Sequence, residues 1–161
     1  MSDTINKTKA TIRRYQSKDQ AVTVATCMKE IVALPHYQKL KIDPARLEFL
    51  LQETVHDETH MMVRVLVNEK DEVVGGVCAY CVTQLLSWDK ITGDLFLYVM
   101  PEYRTLNNVH QLIRAYVKWS KERGATLIQA THTGGYRPEL MDALLRRAGF
   151  EFMGKLYCYR T

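Results

Sequence analysis

The chain has 161 residues, 47% of them hydrophobic and 25% charged, with a net charge of +4. This balance suits one globular domain with a sizeable core and excludes a disordered or fibrous chain. Met1 to Lys9 is polar and lacks the apolar segment of a signal peptide or membrane anchor, so residues 1–9 read as a flexible N-terminal segment, residues 10–161 as a single domain, and the protein as cytoplasmic.

The positive charge favours an anionic cofactor or an acidic partner. No Lys/Arg-rich run or aromatic RNA-binding signature is present, so nucleic acid is not an expected partner. Cys27, Cys78, Cys81 and Cys158 are scattered, as free thiols in a reducing compartment would be. Cys78 and Cys81 form a C-x-x-C, but odd spacing within a strand sends the two thiols to opposite faces, and no metal site is expected.

Ala10 to Tyr15 has the pattern of a first strand, and Ser17 or Asp19 is a candidate cap for the helix that follows. Val22, Val24, Ala25, Met28, Ile31 and Val32 give that helix an apolar side, and Pro35 stops it. His36 to Ile42 is a loop. Asp43-Pro44 then places a capping side chain and a first-turn proline at the start of a second helix carrying Leu47, Phe49, Leu50 and Leu51. Met61 to Val67, apolar and β-branched, and Val73 to Val82 read as the two strands of a hairpin around the turn Asn68 to Asp71. Gly75-Gly76 within the second strand predicts a bulge or a close backbone approach. Ser87 to Gly93 connects onward, and its Trp88, Asp89 and Lys90 suit either a surface turn or the rim of a site.

Leu95 to Val99 is an apolar run without a breaker, the pattern of a strand buried on both faces. Pro101 ends it. From about Asn107 or Asn108 apolar residues recur at helical spacing, with Leu112, Ile113, Tyr116, Val117 and Trp119 facing inward and Gly124 closing the helix. A strand feeding a helix through a tight loop aims backbone N–H groups past the strand end, where the helix dipole favours negative charge. Thr126 to Thr131 is a further strand, Pro138 opens a helix with Leu140, Met141, Leu144 and Leu145 inward, and Ala148-Gly149-Phe150 leads to a last strand, Phe152 to Tyr159.

The text Val99-Met-Pro-Glu-Tyr-Arg104, followed by Thr105 to Val109, resembles the cofactor motif of the GCN5-related N-acetyltransferases, V-x-P-E-Y-R and then G-x-G-x-G/A opening a helix. The ordered elements, β-α-α-β-β-β-α-β-α-β, and the A-G-F punctuation resemble the same family across nearly the whole chain. The resemblance implies an α/β (α+β) fold, a mixed, mostly antiparallel central sheet flanked by helices. It also implies acetyl-CoA as co-substrate and transfer of its acetyl group to an amine of a small molecule or protein.

In the family, loop amides hold the pyrophosphate. The resemblance therefore places backbone contacts to the pantetheine arm at Leu97 and Val99 and contacts to the phosphates at Arg104, Thr105, Leu106, Asn107, Asn108, Val109 and His110. Asn107 and Val109 stand where the family has glycine. Asn107 can adopt a left-handed conformation, whereas the β-branched Val109 is expected to crowd the phosphates. The first two helices line the acceptor site in the family, which makes His36, Tyr37 and Phe49 candidate acceptor contacts.

The chemistry needs deprotonation of an amine and return of a proton to a thiolate. Leu145 occupies the position of the family's usual tyrosine donor. Asp94, His132 and Tyr136 are the candidate catalytic residues, with Tyr157 and Tyr159 as further hydroxyls. Three readings stay open: an N-acetyltransferase, an inactive protein of the same fold that binds a protein partner, and a binding module for another acyl-CoA or nucleotide-like ligand. A homodimer is compatible with each.

Overall fold

The computed structural model describes residues 9–31, 37, 40–132 and 137–154. Strand β1 (Thr11–Arg14) passes through a single 3-10 turn at Ser17–Asp19 into helix α1 (Gln20–Thr26), which widens into a π-helical turn at Cys27–Ile31. Helix α2 (Pro44–His56), strands β2 (Met61–Val67), β3 (Val73–Thr83) and β4 (Lys90–Val99), helix α3 (Leu106–Glu122), strand β5 (Ala125–Gln129) and helix α4 (Pro138–Arg147) follow. The order matches the sequence reading as far as Arg147. Residues 151–154 carry no strand, and the remainder of the expected last strand lies outside the described residues, as do residues 1–8.

The strands form one five-stranded sheet in the order β1-β2-β3-β4-β5. Its first three pairings are antiparallel and the last, β4 with β5, is parallel. Helices cover both faces, so strands such as β2 are apolar on both sides rather than alternating with polar residues. On one face Met62, Leu66, Val77, Ala79 and Cys81 pack with Leu112, Tyr116 and Trp119 of α3. On the other, Val63, Val65, Val67 and Cys78 pack with Val24 of α1 and Leu51 of α2. Cys78 and Cys81 thus enter opposite cores, as their spacing requires. Burial pushes the Cys27 thiol up to about 12, and the Cys78 thiol is raised for the same reason.

The caps at Asp43 and Gly124 are where the sequence puts them. The Asp43 side chain accepts from the Ala45 N–H, with Pro44 in the first turn of α2. Asp19 stands at the start of α1 but caps no N–H of that helix; buried, it reaches back to accept from the Gln16 N–H at 2.8 Å and takes both terminal nitrogens of Arg13, at 2.7 and 2.9 Å, fastening α1 to β1. Gly124 has φ 74° and its N–H donates to Lys121 after α3.

Two boundaries differ, and Leu95, expected in a strand buried on both faces, is exposed because β5 has left the sheet beside it. The first helix is not regular to Val32, because its wide turn starts at Cys27. Val22, assigned to its apolar side, is exposed. Strand β4 starts at Lys90 rather than Leu95, since the apparent connector pairs with Thr83 to Tyr80 on one side and with β5 on the other. Ser87 to Asp89 remains a surface turn, with Trp88 96% exposed.

The glycine pair does mark a close approach. A Cβ on Gly75 would lie 2.7 Å from the Tyr98 carbonyl oxygen and 3.1 Å from the Val99 Cα, both backbone atoms of β4. Gly75→Ala is therefore expected to push β3 and β4 apart and to destabilise the fold by roughly 1 to 3 kcal/mol, the range for overpacking. Urea unfolding measures it, and a change under 0.5 kcal/mol (order of magnitude,) would mean the strands yield freely there.

Candidate functional site

The parallel ladder between β4 and β5 is short. Its last pair is Gly93 with Gln129, while β4 runs on to Val99. Beyond Gly93 the two chains part, and the space between them is a cavity of about 540 Å³. One wall is β4 from Asp94 to Val99, the other is Ala130, Thr131 and His132, and α4 contributes Leu140, Met141, Leu144 and Leu145. The mouth is formed by Arg104, Thr105, Leu106 and Val109 at the start of α3, and by Glu30 and Tyr37. This size suits a small-molecule or cofactor site.

The β4 wall presents backbone as well as side chains. Val99 faces Gly75, and the Met100 N–H donates to the Val74 carbonyl at 2.8 Å, so Val99 belongs to a pair whose N–H and C=O point away from β3. Two residues back, Leu97 opposite Val77 is oriented alike. Leu97 and Val99 thereby turn donors and acceptors toward the cavity, as an extended ligand lying along the strand requires. Leu95 is the extra residue of a bulge, since Phe96 faces Cys78 while Asp94 faces Ala79. Its carbonyl accepts from the Tyr37 hydroxyl at 3.4 Å.

At the far end of this wall α3 begins. Thr105 is its cap, with Oγ1 accepting from the Asn108 N–H at 3.2 Å and the carbonyl from the Val109 N–H, also at 3.2 Å. The N–H groups of Leu106 and Asn107, in the first turn, have no partner within the helix. They and the helix dipole face the strand end, an environment suited to anionic oxygen. The Arg104 Nε donates to the Val99 carbonyl at 2.8 Å, and its guanidinium lies 5.6 Å from the Tyr98 ring centroid.

Of the residues expected to hold a cofactor, Leu97, Val99, Arg104, Thr105, Leu106 and Val109 line this cavity. Asn107 is exposed and helical rather than left-handed, because α3 starts at Leu106. Asn108 is 1% exposed and its amide donates to the Tyr103 carbonyl at 2.8 Å, which makes it a brace of the loop. His110 faces a different, open depression of about 890 Å³ on the outside of α3, lined by Arg14, Arg114, Lys121 and Arg147 among others.

Asp94 and His132 stand on opposite walls of the cavity, and Tyr136 lies outside the described residues. The Asp94 carboxylate accepts from the Thr131 N–H at 2.8 Å and from its hydroxyl at 3.3 and 3.4 Å. Burial holds Asp94 above the usual carboxylate range even though the Thr131 bonds pull the other way. Burial likewise raises the Tyr37, Tyr98 and Tyr116 hydroxyls, so each stays protonated and can donate a hydrogen bond. Tyr37 lines the cavity. Phe49 is exposed beside Arg46 and does not line the cavity, and His36, Tyr157 and Tyr159 fall outside the described residues.

Glu30, Tyr98, Tyr116, Thr131 and Arg137 line the cavity without having been singled out in the sequence. Tyr116 was legible only as an inward residue of its helix. Arg137 adopts φ 44° and ψ 62°, left-handed for a non-glycine residue, directly before Pro138. Among the described residues, no group of three or more His, Cys, Asp or Glu side chains is placed to hold a metal ion, and no helix is long and apolar enough to cross a membrane.

Residues 26–150 match the family model described as the acetyltransferase (GNAT) family. No curated protein sequence matches the chain. A transcriptional regulator from Bacillus halodurans C-125 superposes with a TM-score of 0.72 at 19% identity, covering 95% of this chain and 100% of that one. A Trypanosoma brucei acetyltransferase gives 0.71 at 12% identity, covering 95% and 100%. AAC(6')-Iy in complex with a bisubstrate analogue, CoA-S-monomethyl-acetylneamine, gives 0.69 at 15%, covering 95% and 98%. At these identities the likeness is one of fold.

Val109 is half-buried and packs against the α3-side core as well as lining the cavity. Val109→Gly, which would restore a glycine to the loop, is therefore expected to destabilise the protein by roughly 2 kcal/mol through lost packing and glycine's poor helix propensity. Chemical denaturation checks this, and an unchanged midpoint would show that Val109 contributes nothing to the core.

Proposed function

The chain belongs to the GNAT acetyltransferase family, and from that premise we propose that it moves an acetyl group from acetyl-CoA to an amine of a small molecule. The observation that carries the proposal is the cleft between β4 and β5, with outward-facing backbone at Leu97 and Val99 leading to the capped start of α3. The residues present fit the co-substrate. Strand edge suits an amide-containing arm, the helix start suits phosphates, and Leu140, Met141, Leu144 and Leu145 give the arm an apolar cover. AAC(6')-Iy, bound to its CoA analogue, and a glucosamine-6-phosphate N-acetyltransferase from Arabidopsis thaliana share the fold. Both support a small-molecule amine acceptor.

When bound, acetyl-CoA supplies an activated acyl carbon that a neutral amine can attack. The protein's part is to orient the amine and the acyl group and to move protons. We assign phosphate contact to the N–H groups of Leu106 and Asn107 and to Arg104, whose stacking on Tyr98 and bond to Val99 hold it at the mouth. His132, on the wall opposite β4, is assigned to take the amine proton directly or through water. Glu30 and Tyr37, on the side of the π-helical turn, line the approach of the acceptor, where a carboxylate favours a cationic amine. Because Leu145 takes the place of the family's tyrosine and is apolar, proton return to the thiolate is assigned to Tyr136 or water.

Isothermal calorimetry with acetyl-CoA and with CoA tests this reading. Micromolar binding is expected, and no heat at millimolar ligand would turn the reading toward a partner-binding protein on the same fold. Arg104→Ala is expected to weaken CoA binding by roughly 1 to 3 kcal/mol, the scale of a hydrogen bond to a charged group. An unchanged dissociation constant would move the phosphates elsewhere.

A further inference from the structure

We infer that Asp94 is a positioning residue that holds the cleft open at its apex. The inference rests on the acetyl-CoA reading above only for what the cleft holds. Its geometry is independent of that reading.

Asp94 is the first residue of β4 beyond the last ladder pair, and Thr131 lies two residues beyond that pair on the β5 side. At this point a parallel sheet would continue with N–H to C=O bonds. Here the Asp94 side chain takes the place of the ladder, with Oδ1 accepting from the Thr131 N–H at 2.8 Å and both oxygens within 3.4 Å of its hydroxyl. A carboxylate reaches farther than a backbone carbonyl, so the strands stay tied while they separate.

The same apex is braced from behind by α3. The Tyr116 hydroxyl donates to the Gln129 carbonyl at 2.6 Å, the last β5 residue of the ladder, and lies 3.3 Å from Thr92 Oγ1 on β4. Thr92 Oγ1 in turn donates to Ser120 Oγ at 2.8 Å, and both residues are fully buried. Three elements therefore meet through side-chain hydrogen bonds where the backbone ladder stops. Without the Asp94 carboxylate the Thr131 N–H would have no acceptor at the inner end of the cavity, and both walls would be free to close or splay. Of the two carboxylate oxygens, Oδ1 is committed to the Thr131 N–H, so β5 fixes the orientation of the Asp94 side chain.

Asp94→Asn keeps an Oδ1 acceptor for the Thr131 N–H but removes the basic group, and Asp94→Ala removes both. For Asp94→Ala we expect CoA affinity, read by calorimetry, to fall at least tenfold, with exchange of the Thr131 amide proton, read by NMR, accelerating by a similar factor. Asp94→Asn is expected to stay within threefold of the parent in both. A residue with no positioning role predicts CoA affinity and amide exchange unchanged in Asp94→Ala as well, and that result overturns the proposal.

Tyr116→Phe, which keeps the ring in the core, is expected to lower CoA affinity threefold or more. It gives a second reading of the apex if Asp94→Ala does not fold, and affinity equal to the parent's in Tyr116→Phe would count against the brace. Parent protein that binds no CoA would defeat the acetyl-CoA reading alone, because amide exchange at Thr131 still decides whether the latch exists.

Discussion

Everything functional in this molecule depends on a parallel ladder that stops early. Backbone donors and acceptors inside a protein must be paired, and parting two adjacent strands inside a sheet exposes a row of them on each. The fold meets this constraint in two ways. At the apex, the Asp94 carboxylate and the Tyr116 hydroxyl take up backbone groups from the β5 side, the Thr131 N–H and the Gln129 carbonyl. Farther out, the Val99 carbonyl accepts from the Arg104 Nε, and the Leu97 groups stay turned toward the cavity, where a ligand that offers amides can pair with them. The cleft has room and pairing capacity for such a ligand because its walls are unfinished sheet.

Helix α3 connects that cleft to the core. Its apolar side carries Leu112, Tyr116 and Trp119 onto the sheet, and the Trp119 indole donates to the Glu58 carbonyl at 2.9 Å, fixing the helix axially. Its start is fixed by the Thr105 cap and by buried Asn108, which holds the Tyr103 carbonyl. A helix pinned at both levels presents its first N–H groups at a set distance from Val99. The positive end of its dipole is thus part of the same rigid body as the strand edge.

The loop before α3 reaches this geometry without the family's glycines. Asn107 needs no left-handed conformation, since the helix has already begun. Val109 sits one turn in, where its side chain serves the core. What the loop presents to the cavity is helix start and strand edge, and the side chains that differ from the family pattern are divided between solvent, core and cavity wall.

The sequence by itself determined the element order, the cap at Asp43 and the turn at Gly124, but not the burial of Leu95 to Val99, which the cavity leaves partly exposed. What it determined is local, set by hydrophobic period or by a side chain bonding to backbone a few residues away. The motif from Val99 to Arg104 marked a strand end that borders the cavity. Only the tertiary structure decided where β4 begins, through pairing with both β3 and β5, and where β5 leaves it, through pairs more than thirty residues apart. The same holds for Asp94, whose partner Thr131 is 37 positions away, and for Glu30 and Arg137, which no local pattern marks. A carboxylate in a sequence looks the same whether it will take a proton or hold two strands, and only the atoms around it tell which.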